Sequence, residues 1–467
     1  MGEGGLKRHL AVDLGASGGR VALGTIADGK LSVEILHRWS HAGVSVRGRL
    51  YWDILGIWGE ILHGLSLAPK DVVSVGVNSW GVDYGLIDDK GNLIDGVHHY
   101  RSSRTDGVMD WVLKHCGRTR TYDETGIQFM PINTVYQLLA HRQDDLKLFL
   151  VGRRMLMVPD LIHYWLSGVM SNERTIASTT GLLNARDGSW SEKILLDLDF
   201  MHPIFGQTSD PGTVLGGLSS EVAEATGLTS TSVVLPASHD TASAVAAVPA
   251  EPGDDWAYIS SGTWSLVGVE VPTPVLTMDA QRENLTNEAG YGGTTRLLKN
   301  VMGLWVLQEC RRAWSQEQGS DIPFDELYAE AATIEGGPTF DVDDVRFLPP
   351  GLDMPDRVRG MCSAKSRAEI VRAIFDSLAE RADAVLGALE RVSGRTITKI
   401  HIVGGGSQID LLNGLIARRT GRTVIAGPVE ATLMGNLLVQ AEAMGSIEPG
   451  SIRDVVRAGT TLNTYEP

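Results

Sequence analysis

Cysteine is scarce in this chain: Cys116, Cys310 and Cys362 are the only three among 467 residues. They are odd in number, far apart and in no ligand-like spacing. That argues against a disulfide framework or a cysteine metal site and fits a reducing cytoplasm, where the three are expected to be small buried side chains. Basic residues are also under-represented, with 41 Lys and Arg against 57 Asp and Glu and a net charge of −16. Such a surface repels nucleic acid and anionic membranes, so neither is expected as a partner. No apolar stretch reaches the ~18 residues of a membrane span. Residues 1–8 lack a signal-like apolar segment, and Leu6 spoils the myristoylation pattern that Gly2 would begin. Secretion and membrane spanning are therefore not expected. Heptads, low-complexity tails and basic runs are missing too. The length exceeds what one core supports and predicts two or three domains.

Glycine is plentiful, and it is placed at turns. His9 to Leu23 reads as strand, Gly-rich turn, strand, with Asp13 inside the apolar run and Gly15-Ala16-Ser17-Gly18-Gly19 at its end. Glycines there predict a turn with φ > 0 and close ligand approach, and exposed N–H groups with the Ser17 hydroxyl suit an anion. No Lys-Ser or Lys-Thr follows, so this is not a Walker loop. Lys30 to Arg38 predicts a third strand, Asp53 to Leu65 an amphipathic helix, and Val72 to Val77 a buried strand. Val82 to Asp88 and Leu93 to Val97 flank a further turn, and helix dominates from about Thr105 to Leu166. After the Pro/Gly-punctuated segment from His202 to Leu218, Val233 to Leu235 is a short strand. Ser238-His239-Asp240-Thr241 then leads into a small-residue helix entered at Ser238.

Pro249 to Asp255 reads as a domain boundary. Directly after it, Ala257 to Val269 repeats the strand, Gly-containing turn, strand design of residues 9–23. Ser366-x-x-Glu369 opens a long helix to about Val392 with a capping box. Ile397 to Val403 runs into Gly404-Gly405-Gly406 before a helix from about Gln408 to Arg418, the strand Thr423 to Ala426 and a last helix from Glu430 to Met444. The triple glycine suits either a structural turn or the approach of a base or phosphate.

Two such hairpins and a Gly-rich strand-helix junction point to phosphoryl transfer. Backbone donors would hold the phosphates, Asp13 is the candidate oxygen ligand for Mg²⁺, directly or through water, and Asp240 is the candidate base. In the first helical turn Asp240 is expected to be held ionised by the helix dipole, with His239 orienting it or touching substrate. Each residue also has a plainer reading, Asp13 as a turn carboxylate and Ser238-His239-Asp240 as a helix cap. The latter is not a hydrolase triad, because sequential residues point in different directions.

Several blocks resemble the FGGY carbohydrate kinases, and among them the branch acting on L-rhamnulose. They include Ala11 to Ser17, Ser79-Trp80-Gly81-Val82-Asp83, Tyr100-Arg101-x-x-Arg104-Thr105, Ala237 to Val245, Ser260 to Ser265, Leu298 to Trp305 and Ile402 to Gly406. The resemblance implies an α/β fold of two actin/Hsp70-like (ribonuclease H-like) domains, each with a central mixed sheet, and an active-site cleft between them. Residues 1–249 would form the sugar-binding domain and 250–467 the nucleotide-binding domain. It implies ATP-dependent phosphorylation of the sugar's 1-hydroxyl in the cytoplasm, with Mg²⁺. Asp240 matches the family's base, with His239 and Gly81 beside the sugar and Arg104 either on sugar hydroxyls or in a salt bridge. Ser17, Thr263, Asn300, Gln308 and, of the three glycines, Gly405 match nucleotide contacts. Sequence alone would put Asn300 and Gln308 on a helix surface. Asn78, where Asp is frequent, and Ser102, also often Asp, leave the exact sugar open. Competing readings are a kinase for L-fuculose or xylulose, and a non-catalytic nucleotide or sugar clamp.

Overall fold

The computed structural model describes residues 6–200 and 203–467, so residues 1–5 and the His202 start of the Pro/Gly-punctuated segment lie outside it. The chain forms two compact units. The first comprises Met1–Pro249, Glu270–Leu297 and Ala431–Gly459; the second comprises Ala250–Val269, Leu298–Glu430 and Thr460–Pro467.

In the first unit, β1 (Lys7–Gly15), β2 (Gly18–Ala27), β3 (Lys30–Ser40), β4 (Ser74–Ser79), β5 (Val214–Gly217) and β6 (Ser232–Val234) make one sheet in the order β5-β6-β4-β1-β2-β3. The β1–β2 hairpin is antiparallel, whereas β4 adds to β1 in parallel, Asp13 opposite Asn78. A parallel neighbour needs a crossover, which α1 (Ile54–Ser66) supplies. Asp53 caps that helix by accepting from Gly56 N–H, and its buried Ile54, Ile57, Ile61 and Leu65 recur at helical spacing. The helical stretch that follows includes α2 (Thr134–Asp144), whose Val135, Tyr136, Leu138 and Leu139 enter a buried cluster with Phe149, Met155 and Leu182.

The sequence after Ser238 departs from expectation. The helix α3 (Asp240–Ala246) begins at Asp240; His239 occupies the cap position without a side-chain capping bond, and the Ser238 hydroxyl donates instead to the Pro236 carbonyl.

Six successive strands of the second main sheet are β7 (Trp256–Ser261), β8 (Trp264–Val271), β9 (Thr295–Met302), β10 (Lys399–Val403), β11 (Thr423–Ala426) and β12 (Asn463–Tyr465), in the order β9-β8-β7-β10-β11-β12. Its pairing repeats that of the first sheet: β7 is antiparallel to β8 and parallel to β10. The helix α4 (Trp305–Gln318) follows β9. The 27-residue helix α5 (Arg367–Ser393) opens with the expected capping box of Ser366 and Glu369. The helix α6 (Asp410–Thr420) starts after a 3-10 turn, Gly405–Gln408, so the glycines do not sit directly at its N-terminus. The last long element, α7 (Ala431–Ala443), belongs to the first unit and packs on α3, where a Cβ on Gly435 would overlap the Ser243 carbonyl.

Among the described residues no helix is long and apolar enough to cross a membrane. Cys116 and Cys310 are buried free thiols, and Cys362 is half-buried.

Candidate active site

The opening hairpin turns at Ala16-Ser17, and Ser17 is exposed there. Its glycines do not have positive φ, contrary to expectation. They make room: a Cβ on Gly18 would lie 2.5 Å from the Trp39 carbonyl and one on Gly19 2.2 Å from the Trp39 ring. Asp13, at the end of β1, is buried and fully engaged. Its Oδ2 pairs with Arg20, and its Oδ1 accepts from Asn78 Nδ2 at 2.5 Å. Asn78 Oδ1 in turn accepts from Asn436 at 2.6 Å. The side chain at 78 thus serves Asp13. Ser102, the other departure, stands at the cap of a 3-10 turn, where its N–H donates to the His99 carbonyl.

Asp240 lies at the junction of several elements. Its Oδ1 accepts from Thr241 N–H at 2.5 Å and from the Thr241 hydroxyl at 3.1 Å, and stands 3.4 Å from His239 Nε2. Burial raises its pKa; His239 counters this, while the Asp13 carboxylate raises it further. Desolvation and the second carboxylate therefore act against the helix dipole, and the net direction of the shift is upward. His239 Nδ1 accepts from Arg296 Nη2 at 3.1 Å. An arginine can only donate, so this bond leaves the ring proton on Nε2, facing Asp240. Arg296 is fully buried and pairs with Glu288 at 3.1 Å. The backbone before Asp240 is fixed from another side: Glu173 accepts from Ser238 N–H, and the Thr175 hydroxyl accepts from His239 N–H. Burial pushes Glu173 up to about 7 despite its hydrogen bonds.

Ser79, at the end of β4, bridges to His239, which brings Gly81 into the same region. Next comes Val82 with φ +69°, a conformation that costs a β-branched residue about 1–3 kcal/mol. Both its backbone groups are pinned, N–H to the Thr179 hydroxyl and C=O by the Thr134 hydroxyl. Asp83 is buried and accepts from Trp52 Nε1, Trp80 Nε1, Tyr100 N–H and Gln137 Nε2. Desolvation still lifts it to about 6. Around it Trp52 stacks on His99 at 3.9 Å and packs against Trp80 at 4.2 Å. Arg104 donates to Gln137 at 2.9 Å and makes no salt bridge among the described residues, while its buried Nε and Nη1 have no hydrogen-bond partner there. Trp52, Trp80 and His99 pack their faces on one another, and Arg104 is linked to them through Gln137 and Asp83.

In the second unit Thr263 occupies the β7–β8 turn and donates to Gln308 Oε1 on α4 at 3.3 Å. Asn300 is on strand β9 (Thr295–Met302) and not on a helix surface. The three glycines differ. Gly404 has φ +83° and lies against the Ser261 carbonyl, a Cβ on Gly406 would fall 1.9 Å from Ser261 Oγ, and Gly405 faces open space.

Sequence reasoning gave no role to Trp52, His99, Glu173, Glu288 or Arg296. The Trp80-x-x-Asp83 spacing was a visible signal for the aromatic group. The others come from distant segments and had none.

Residues 9–247 match the N-terminal domain of the FGGY family of carbohydrate kinases and residues 257–444 its C-terminal domain. The chain belongs to this family. An FGGY kinase acts on a carbohydrate and uses ATP, so this chain is an ATP-dependent sugar kinase. The rhamnulokinase of Bacteroides thetaiotaomicron is 39% identical over 472 residues, covering 99% of this chain and 96% of the relative. That of Bacillus subtilis is 36% identical, covering 98% and 95%. Among solved structures, a ligand-bound xylulose kinase from Lactobacillus acidophilus has a TM-score of 0.81 at 15% identity, covering 99% of this FGGY kinase and 94% of that chain. Plasmodium falciparum glycerol kinase with ADP gives 0.78 at 14%, covering 98% and 94%. These likenesses establish the two-domain FGGY fold of mixed sheets and helices.

Proposed function

We propose that this FGGY kinase phosphorylates L-rhamnulose at its 1-hydroxyl, converting ATP to ADP and forming L-rhamnulose 1-phosphate in the cytoplasm. The observation that carries the sugar assignment is near full-length identity above a third to relatives named rhamnulokinase. In this reading residues 1–249 chiefly serve the sugar and 250–467 the nucleotide.

Asp240 takes the hydroxyl proton as the sugar oxygen attacks the γ-phosphorus. A base with a raised pKa accepts that proton more readily than an ordinary carboxylate. His239, its Nε2 proton set by Arg296, steadies Asp240 or donates to a sugar oxygen. Gly81 lets the sugar approach backbone, and the spare donors of Arg104 bind its hydroxyls. Ser17 and the turn around Thr263 contribute donors for phosphate oxygens, with Asn300, Gln308 and Gly405 lining the nucleotide.

Mg²⁺, when bound, neutralises phosphate charge. Asp13 fits it as a partner through water, since both carboxylate oxygens already have protein partners.

The test is an ADP-release assay with L-rhamnulose, L-fuculose and D-xylulose. The reading expects kcat/KM for L-rhamnulose to exceed the others by at least about tenfold, or 1.4 kcal/mol. A higher value for another ketose overturns the sugar assignment, and ATP binding without sugar-dependent ADP release overturns catalysis.

A further inference from the structure

We propose that Asp95, His98 and His141 form a binding site for a divalent transition-metal ion of the Zn²⁺ type, separate from the residues assigned to kinase chemistry. The three donors come from two places in the first unit. Asp95 and His98 flank the tight turn at Asp95-Gly96, where Asp95 has φ +61°, and His141 is on α2. Asp95 Oδ2 lies 3.0 Å from His98 Nε2 and 3.3 Å from His141 Nε2. All three donor atoms fall within 4.8 Å of one another. Bonds of about 2.0–2.1 Å in a tetrahedron give ligand-to-ligand edges near 3.4 Å, so one ion fits with little movement.

Further observations point to a ligand and not to a simple ion pair. His141 is 3% exposed, and its Nε2, although 3.3 Å from Asp95 Oδ2, makes no hydrogen bond of good geometry among the described residues. Its Nδ1 is 3.1 Å from the Tyr84 hydroxyl. A proton on Nδ1 directed to Tyr84 frees the Nε2 lone pair for a metal, the usual outer-shell arrangement of a histidine ligand. Tyr51 packs on the His98 ring at 4.4 Å and fixes its plane. The Asp95 side chain remains 22% exposed, which leaves a path for entry and a position for water. Two imidazoles and one carboxylate favour Zn²⁺, Co²⁺ or Ni²⁺ over Mg²⁺. Bound there, the ion would staple the turn to α2, one helical turn beyond Gln137, the partner of Arg104 and Asp83.

The experiment uses full-length protein stripped with chelator, dialysed and titrated separately with ZnCl₂, CoCl₂ and MgCl₂. The expected result is one equivalent of Zn²⁺ retained through gel filtration, visible ligand-field absorption with Co²⁺, and a Tm rise of a few degrees at a hundredfold excess over Kd. Mg²⁺ should reproduce none of these. Asp95→Asn and His98→Gln should each weaken Zn²⁺ binding by at least about tenfold while metal-free circular dichroism and kinase turnover stay as in the parent. Absence of stoichiometric Zn²⁺ uptake, or uptake unchanged in both variants, overturns the site. His141→Gln is read alongside them, so that a folding defect in this buried variant does not decide the outcome.

Discussion

Replacing Asp240 by Asn removes the proposed base with almost no change in shape. The Asn carbonyl oxygen can keep the two bonds from Thr241, and the amide takes the place of Oδ2, which accepts no hydrogen bond among the described residues. The raised pKa means that the fold disfavours the charged form, by burial first and by Asp13 as well. A neutral isostere should therefore leave Tm unchanged or slightly higher. Turnover is another matter. A positioned general base contributes about 10²–10⁴-fold, or roughly 3–5.5 kcal/mol of barrier. ADP release with L-rhamnulose would give kcat, calorimetry with a non-hydrolysable ATP analogue would give nucleotide affinity, and thermal melting would report folding. The expected pattern is kcat down by at least about 10²-fold with analogue affinity within about twofold of the parent. Turnover within tenfold of the parent would refute the assignment of Asp240. So would a loss explained entirely by weaker nucleotide binding or a lower Tm.

Asp13→Asn removes a negative charge that raises the Asp240 pKa, so the acid limb of the normalised kcat/KM profile should move to lower pH; an unmoved or upward-shifted limb contradicts the coupling. Gly405→Ala meets no protein atom within 4 Å and should leave Tm unchanged while raising the KM for ATP about tenfold. Gly406→Ala, with its Cβ 1.9 Å from Ser261 Oγ, should lower Tm instead, and equal effects on Tm would remove the distinction. Arg296→Met strips the buried Glu288 of its guanidinium and should cost about 3–5 kcal/mol in urea unfolding, with Glu288→Gln in the same chain recovering part of it. A single-variant cost below about 1 kcal/mol would show the pair to be unimportant for stability. Asn78→Asp sets a second carboxylate against Asp13, and one of the two must take a proton. That raised folded-state pKa makes the added stability penalty grow as pH rises, by up to about 1.4 kcal/mol per pH unit, so melting between pH 5 and 8 should show a widening gap from the parent.

Local patterns were legible. Apolar runs either side of a Gly-rich turn marked β1 and β2, alternation marked β3, the spacing of Ile54 to Leu65 marked α1, and Ser366 with Glu369 marked the start of α5, because each depends on residues within a turn or two. Function became readable only through the motif blocks. What the sequence concealed was long-range. Nothing near Gly18 or Gly19 announces Trp39, so their flexibility was credited where steric clearance is the reason. The upward shift of the Asp240 pKa comes first from burial that only the fold creates, with a further contribution from Asp13, more than two hundred positions away. Asn300 was misread because Thr295–Met302 is buried along most of its length and so shows no two-residue alternation. Arg296 and Glu288 reach His239 from another strand pair and carry no local signature.

Asn78 shows how a residue that departs from the common pattern can belong to the scaffold of a site. Hydrogen bonds connect Ser446, His9, Ser74, Gln440, Asn436, Asn78 and Asp13 through the first unit. Burial lowers the His9 pKa to about 4, with Lys7 adding to the effect, so the ring is neutral at pH 7. Because the Ser74 hydroxyl donates to Gln440, it must accept from His9 Nδ1–H, which leaves His9 Nε2 to accept from Ser446. Gln440 then donates to Asn436, Asn436 to Asn78 and Asn78 to Asp13. Every donor points the same way, so the bonds polarise one another toward the Asp13 carboxylate. Position 78 must accept on one side and donate on the other, which an ionised Asp cannot do. The arrangement also fixes register: sliding β1 or β4 by one residue would turn the side chains to the opposite face and strand buried polar groups at about 1–3 kcal/mol each. The amide at 78 is therefore best understood as the last donor in a chain that holds Asp13 in place.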